Sequence, residues 1–342
     1  MMKIFSLLAL LGFMSCSTRP EKKHPPLSAK AKFAFMIHGG AGVAPKGSQT
    51  PEQEKAYTEK LTEALLSGHK ILQGGGSSLD AVESAIRILE DSPLFNAGKG
   101  AVFTADGKNE LDASIMSGSG LEAGAVAGLH HVKNPITLAR AVMENSPHVM
   151  MVGEGAEKFA KEQNIELVPA KYFWTKPRWD ILQEMIKVEK AKDKSGMNSL
   201  RATPANRFGT VGAVALDSKG NLAAGTSTGG MTFKKFGRVG DSPIIGAGTY
   251  AKNKVCAVSA TGHGEYFIRL SVARDICALV EYKGLGLQAA TDEVVLTKLK
   301  ALGGDGGVIA IDADGGRAIT FSSEGMYRAW IDETGQPQVR MY

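Results

Sequence analysis

Cysteine is scarce in this chain, charge is nearly balanced, and only one hydrophobic run is of any length. Each shortage removes a class of protein. The three cysteines, Cys16, Cys256 and Cys277, match neither the spacing of a zinc site nor the framework of a small disulfide-bonded domain. Cys256 and Cys277 are therefore expected as separate buried apolar side chains. Lys plus Arg total 40 against 35 Asp plus Glu, with no dense basic cluster interleaved with aromatics, so nucleic acid is not an expected partner. Beyond the N-terminus no segment is apolar for long enough to span a bilayer.

The one apolar run, Ile4 to Met14 after Lys3, has the charged-then-apolar order of an export signal and is too short for a permanent span. It ends at Ser15-Cys16, and a cysteine after a small residue at that point resembles a bacterial lipoprotein signal over residues 1–16, with Cys16 as the lipidation position. An ordinary signal peptide with Cys16 removed or inert is the alternative. Residues 17–32, rich in Pro and Lys, read as a tether. The protein is thus expected outside the cytoplasm, periplasmic or lipid-anchored to the bacterial membrane.

The rest of the 342 residues can bury a sizeable core. Phe33 to Ile37 is a short strand running into the glycine-rich turn His38-Gly39-Gly40-Ala41-Gly42. Thr50-Pro51-Glu52-Gln53 carries an N-cap threonine and a proline suited to the first helical turn, so a helix is expected from Pro51 to near Gly74. Ser77 to Asp91 gives a second, with Leu79, Val82, Ile86 and Leu89 on one face. Ala101 to Ser117 reads as a hairpin around Asp106-Gly107, and the chain from Glu122 to about Gln163 as strand then helix. Residues 176–208 turn polar and mixed in charge, which suggests a mobile linker, or an exposed helix over Asp180 to Lys192. The linker separates two halves of one fold.

The second half opens with strand-like Gly209-Thr210-Val211-Gly212, turns at Ser218-Lys219-Gly220, and returns over Asn221 to Thr228. If Asp217 pairs with Asn221, the antiparallel register sets Thr210 opposite Thr228, with Cβ atoms ~4.5–5.5 Å apart. Farther on, the strand Val255 to Ala260 leads through Thr261-Gly262-His263-Gly264-Glu265 into one helix with Ile268, Val272, Ile276 and Leu279 on a face. A helix start of that kind offers N–H groups to an anion or oxyanion.

A threonine hydroxyl is a weak nucleophile at neutral pH. Making it the first residue supplies its own α-amine, with a pKa of ~7.7–8.0, as base. Thr210 lies mid-chain, so that amine exists only if the Gly209–Thr210 bond is cut. Gly209 suits a scissile position, because it tolerates unusual backbone angles.

His38-Gly39-Gly40-Ala41-Gly42, Pro93-Leu94-Phe95-Asn96-Ala97-Gly98-Lys99-Gly100, Gly209-Thr210-Val211-Gly212, Thr226-Ser227-Thr228-Gly229-Gly230, Gly237-Arg238-Val239-Gly240-Asp241-Ser242-Pro243 and Thr261-Gly262-His263-Gly264-Glu265 occur in one order. In that order they resemble the plant-type L-asparaginases with isoaspartyl peptidase activity, N-terminal nucleophile hydrolases, over about Phe33 to Trp330. The resemblance implies an α+β fold, a four-layer αββα sandwich, autocleaved into an N-terminal subunit (33–209) and a C-terminal subunit (210–342) and assembled as a dimer of such pairs. It implies Thr210 as nucleophile and, through its amine, base, with Thr228 supporting it and Thr261 and Gly262 as oxyanion hole. Arg238 and Asp241 would grip the substrate's α-carboxylate and α-ammonium, with Val239, Gly240, His263, Gly264 and Asn96 also around the substrate. A structural sodium would sit on the carbonyls of Leu89, Glu90, Ser92, Phe95, Ala97 and Lys99, and catalysis needs no cofactor. The expected reaction is hydrolysis of the side-chain amide of asparagine or of β-aspartyl peptides.

Three other readings stay open at this point. Glycosylasparaginase is the nearest. Gly225-Thr226-Ser227-Thr228-Gly229 fits the nucleophile motif of a serine esterase, with Ser227 as nucleophile and His38-Gly39-Gly40 as its oxyanion loop. A lipoprotein that only binds amino acids, with Thr210 uncut, is the third.

Overall fold

The computed structural model describes residues 33–42, 46–195 and 209–342. The leader with Cys16, the tether and residues 196–208 of the expected linker lie outside them. The described chain is of mixed α and β content and contains two sheets. The larger has eight strands in the order β12 (Pro337–Arg340), β11 (Met326–Ile331), β1 (Ala34–Ala41), β5 (Val211–Leu216), β6 (Leu222–Thr228), β2 (Leu111–Ser117), β3 (Ala123–Leu129) and β4 (Met150–Val152). All its pairings are antiparallel except β3 with β4. The smaller runs β10 (Arg317–Phe321), β9 (Gly306–Asp312), β8 (Cys256–Gly262), β7 (Thr249–Lys252). Strands from before and after Thr210 alternate within the larger sheet, so the two halves are one fold.

Side chains alternate across each strand, and the alternation builds two cores. Phe35, Ile37, Ala213 and Ala215 join Leu61 and Leu65 of α1 (Pro51–Gln73), Val82 and Ile86 of α2 (Ser78–Glu90) and Ile136 of α3 (Pro135–Asn145). Met36, Val214, Leu216 and Ala224 join Val258, Ala260 and Ile309 of the smaller sheet, with Val272 and Ile276 of α7 (Val272–Lys283) and Leu287 of α8 (Leu287–Asp292). Each of the larger side chains, Val, Leu, Ile, Phe or Met, contributes ~1.5–3 kcal/mol by leaving water. The first helix begins as expected: Thr50 Oγ1 accepts from Gln53 N–H, and Gln53 Oε1 accepts from Thr50 N–H.

Five expectations need correction. The glycine-rich segment from His38 is the end of β1 rather than a turn: the strand runs on to Ala41, with a bulge against β11 between His38 and Gly40. The polar stretch from Lys176 is a helix, α5 (Lys176–Ser195), which follows α4 (Gly153–Glu162). Its composition hides a narrow anchor: Trp179 packs edge-on against Phe103, Leu182 is buried, and Arg178 donates to the carbonyls of Gly100 and Leu94. The hairpin expected over Ala101 to Ser117 shrinks to one bridge, Phe103 with Asn109. Beyond it β2 pairs with β3 and β6 instead, which sets Asp112 opposite Thr228. The single helix after His263 is broken at Ser271, left-handed at φ 50°, into α6 (Gly264–Leu270) and α7. Cys256 and Cys277 are not separate: they form a disulfide between β8 and α7, with Cα atoms 5.7 Å apart. Their separation in sequence hid a proximity that the packing of α7 on β8 creates.

Glu90 ends α2 fully buried. Its Oε1 accepts from Ser227 Oγ (2.6 Å) and Ile136 N–H (3.0 Å), while Oε2 has no partner. Burial, outweighing those bonds, pushes its carboxyl up to about 8. Between the ordinary carboxylate range and pH 8 the folded state therefore keeps a proton that the unfolded state has lost, so stability falls as pH rises. Glu90→Gln is expected to flatten that decline. Urea denaturation of both proteins across this range checks it, and a parallel decline in the two would contradict it.

Candidate active site

The β5–β6 hairpin fixes the centre. Val211 pairs with Ser227 and Leu216 with Leu222, and the next step outward sets Thr210 across from Thr228. Thr210 Oγ1 donates to Thr228 Oγ1 at 3.0 Å, and Thr228 Oγ1 also accepts from Gly230 N–H at 3.0 Å. The turn that sets this register is held by Asp217: its Oδ1 accepts from Lys219 and Asn221 N–H, and its Oδ2 from Ser78 N–H.

Two segments close on the Gly209–Thr210 bond. The Asn96 N–H donates to the Gly209 carbonyl at 3.0 Å. The end of β1 lies against the same residue: a Cβ on Gly40, whose φ is +113°, would fall 2.4 Å from Gly209 Cα. Gly209 itself is nearly extended at φ 158°, so what the junction requires of glycine is space. His38 Nδ1 donates to the Thr210 carbonyl at 3.0 Å. Burial pushes its imidazole down to about 3, against the raising effect of that bond, so His38 is neutral with its hydrogen on Nδ1.

A cleft opens beside Thr210 and Thr228, lined further by Gly230, Met231, Arg238, Gly240, Asp241, Ser242 and Gly262. Of the expected site residues, Thr210, Thr228, Arg238, Gly240, Asp241 and Gly262 thus meet in one place. Arg238 donates from Nε and Nη2 to the two oxygens of Glu265, each at 2.9 Å. Asp241 is buried with Oδ2 unpartnered, and burial pushes its carboxyl up to about 7; nearby Arg238 opposes the shift and Glu265 adds to it. Gly264 makes the pair possible, since a Cβ there would sit 2.8 Å from Arg238 Nη2 and 3.0 Å from Asp241 Oδ1.

The other expected residues are not among those that line the cleft. Thr261 is buried, and its Oγ1 accepts from Ala41 N–H, which ties the end of β1 to β8 and leaves the hydroxyl hydrogen for another acceptor. His263 Nε2 lies 3.3 Å from Glu265 Oε2. Val239 is half-buried. Asn96 is closed off, with its amide spent on the Gly230 carbonyl and Val102 N–H; its place is at the Gly209 carbonyl rather than in the cleft. The dipole argument for the helix at Gly264 loses force, because α6 has only seven residues. Sequence reasoning missed Met231, Ser242 and Glu265. Only Glu265 carried a signal, as the acidic end of a motif whose other members had roles. Ser227 points the other way, buried on Glu90, and β6 enters no nucleophile elbow, so the serine-esterase reading is set aside.

Paired hydroxyls at the Gly209–Thr210 junction, beside a partly buried guanidinium and a buried carboxylate, are an arrangement that can hold a small zwitterion next to a nucleophilic hydroxyl. The sequence comparisons agree with that class. The asparaginase family model matches residues 31–341. The chain is 54% identical over 312 residues to the isoaspartyl peptidase of Salmonella typhimurium, covering 91% of this chain and 99% of that one. It is 42% identical over 312 residues to the isoaspartyl peptidase/L-asparaginase of Rattus norvegicus, covering 91% and 90%, and 45% identical over 302 residues to the plant-type L-asparaginase of Pyrococcus abyssi, covering 88% and 96%. The chain belongs to the asparaginase family.

Gly40→Ala tests the junction. The added methyl meets backbone at 2.4 Å in a left-handed position, so the variant is expected to purify with residues 209 and 210 still joined. Intact mass checks it, and normal cutting would contradict the packing described.

Proposed function

We propose that the chain is an autoprocessing threonine amidohydrolase that releases L-aspartate from L-asparagine and β-aspartyl peptides. The observation that carries this is the 3.0 Å contact of Thr210 Oγ1 with Thr228 Oγ1 at the mouth of a cleft holding Arg238 and Asp241. The names of its relatives support the same substrates.

In maturation, Thr210 Oγ adds to the Gly209 carbonyl carbon, whose oxygen rests on the Asn96 N–H. The C–N bond breaks, the departing amine takes the hydroxyl's proton, and water hydrolyses the resulting ester. The products are an N-terminal subunit ending at Gly209 and a C-terminal subunit beginning at Thr210, interlocked in one sheet as layers of an αββα sandwich. In catalysis, the substrate's carboxylate takes the guanidinium of Arg238 and its ammonium takes Asp241. The Arg238–Glu265 pair is half-exposed on the Glu265 side and worth only ~0–1 kcal/mol, so it yields to a carboxylate. Anchoring the head orients the amide carbonyl toward Thr210 Oγ. The terminal amine takes the hydroxyl proton, and Thr261 and Gly262 stabilise the oxyanion. Ammonia or an amino acid leaves with that proton, and water hydrolyses the β-aspartyl ester.

The loop from Leu89 to Lys99 fits a hard monovalent cation. Glycines let its carbonyl oxygens come close to the backbone, since a Cβ on Gly98 would lie 2.3 Å from Glu90 O and one on Gly100 2.0 Å from Phe95 O, and oxygen donors suit such an ion. Sodium held by the carbonyls of Leu89, Glu90, Ser92, Phe95, Ala97 and Lys99 would brace the segment that carries Asn96. The Cys256–Cys277 disulfide supports an oxidising compartment. With the leader, this favours an exported protein, periplasmic or anchored through Cys16, working as a dimer of cut pairs.

Thr210→Ala is expected to stay uncut and lose all activity toward asparagine, a β-aspartyl dipeptide and a glycosylated asparagine; retained turnover of any would overturn the reading. Wild-type preference for the glycosylated substrate would move the assignment to glycosylasparaginase. As pH falls below about 7, Asp241 gains a proton in the free enzyme and loses its pull on the ammonium, so KM rises. Asp241→Asn is expected to raise KM and remove that trend. A KM independent of pH from about 5.5 to 8 in the wild type would contradict it.

A further inference from the structure

Between the two sheets, five polar side chains form a continuous file. His38 Nε2 meets Ser259 Oγ at 2.9 Å. Ser259 Oγ meets Thr226 Oγ1 at 2.7 Å, Thr226 meets Thr249 Oγ1 at 2.6 Å, and Thr249 meets Ser114 Oγ at 2.8 Å. Ser114 Oγ then donates to the Ser242 carbonyl at 2.6 Å. All five are fully buried. One end of the file holds the nucleophile, through His38 Nδ1 and the Thr210 carbonyl; the other holds the backbone next to Asp241. Gly212 clears its path, since a Cβ there would fall 2.0 Å from Ser259 Oγ and 2.3 Å from His38 Nε2. Alanine or valine would fill these positions without the desolvation cost of five polar groups.

We infer that this file is a positioning element that sets the nucleophile Thr210 and the substrate-holding corner at Asp241 and Ser242 relative to each other. The inference rests on the roles proposed above for Thr210 and Asp241. Its force comes from a count of hydrogens. The Thr210 carbonyl can only accept, so His38 carries its hydrogen on Nδ1, and neutral His38 presents Nε2 as an acceptor. The Ser242 carbonyl also only accepts. Both ends therefore draw hydrogen outward, and four hydroxyl hydrogens serve five contacts. The carbonyls of Gly225 and Gly248, beside Ser259 and Thr226, add acceptors and no hydrogens. The directions of all four hydroxyls are thereby interdependent, and removing one reorders the rest. A change at the Ser242 end is felt at Thr210, although Ser114 touches neither His38 nor the nucleophile.

Thr226→Val keeps the shape and removes the central hydroxyl; Thr226→Ser restores it. With a β-aspartyl dipeptide, the valine variant is expected to lower kcat, raise KM, slow self-cutting and lose about tenfold or more in kcat/KM, the size of one buried hydrogen bond. The serine variant is expected to recover to within about twofold. A folded valine variant with unchanged kcat and KM, or a serine variant as impaired as the valine one, overturns the inference. If the valine variant does not fold, Ser114→Ala decides: slower self-cutting at Thr210 supports transmission along the file, and an effect on KM alone overturns it. Thr210→Ala and Asp241→Asn, assayed alongside, keep the two proposals apart, because full activity in the first defeats the role of Thr210 itself and an unchanged KM in the second defeats that of Asp241.

Discussion

The contact between the hydroxyls of Thr210 and Thr228 depends on one register, and much of the molecule serves to hold it. Side chains alternate with a period of two, so a slip of one residue between β5 and β6 would turn Thr210 away from its partner. Asp217 prevents the slip by gathering three backbone N–H groups at the tip of the hairpin, one of them from the start of α2. The open end is held from both sides. Asn96 N–H grips the Gly209 carbonyl, and His38 grips that of Thr210. Two strands from before Thr210, β1 and β2, flank the hairpin on its two sides, so a cut beside Thr210 would not release it.

The opposite wall of the cleft works by a different balance. Asp241 is buried with a free oxygen, and desolvation outweighs the attraction of Arg238. Such a carboxyl gains more from an incoming ammonium than an exposed one does, because its charge is not already compensated by water. Arg238 meanwhile has a partner it can relinquish, the half-exposed Glu265. An uncompensated acid beside a loosely committed base suits a zwitterion better than a simple amide.

What the sequence revealed followed local rules. The start of α1 was legible in Thr50, Pro51 and Gln53, and the Thr210–Thr228 register in the length of one turn. Motif order carried Arg238, Asp241 and Gly262 into the cleft. What it hid were long-range contacts between elements of unremarkable composition. The helix from Lys176 is polar nearly all round and is anchored by few residues, so its charges read as linker. Cys256 and Cys277 meet only because α7 lies on β8. The resemblance puts Asn96 around the substrate; the fold spends its side chain on Val102 N–H and the Gly230 carbonyl and puts its N–H on the Gly209 carbonyl. The buried file from His38 to Ser114 draws single hydroxyls from four strands and has no sequence signature.

The central claim is that one residue provides both the hydroxyl and the amine that activates it. N-terminal sequencing of fully active protein tests this most directly. The account predicts two polypeptides, one of them beginning at Thr210 and reading Thr-Val-Gly-Ala. Full activity in material that contains only unbroken chains across Gly209 and Thr210 would contradict it.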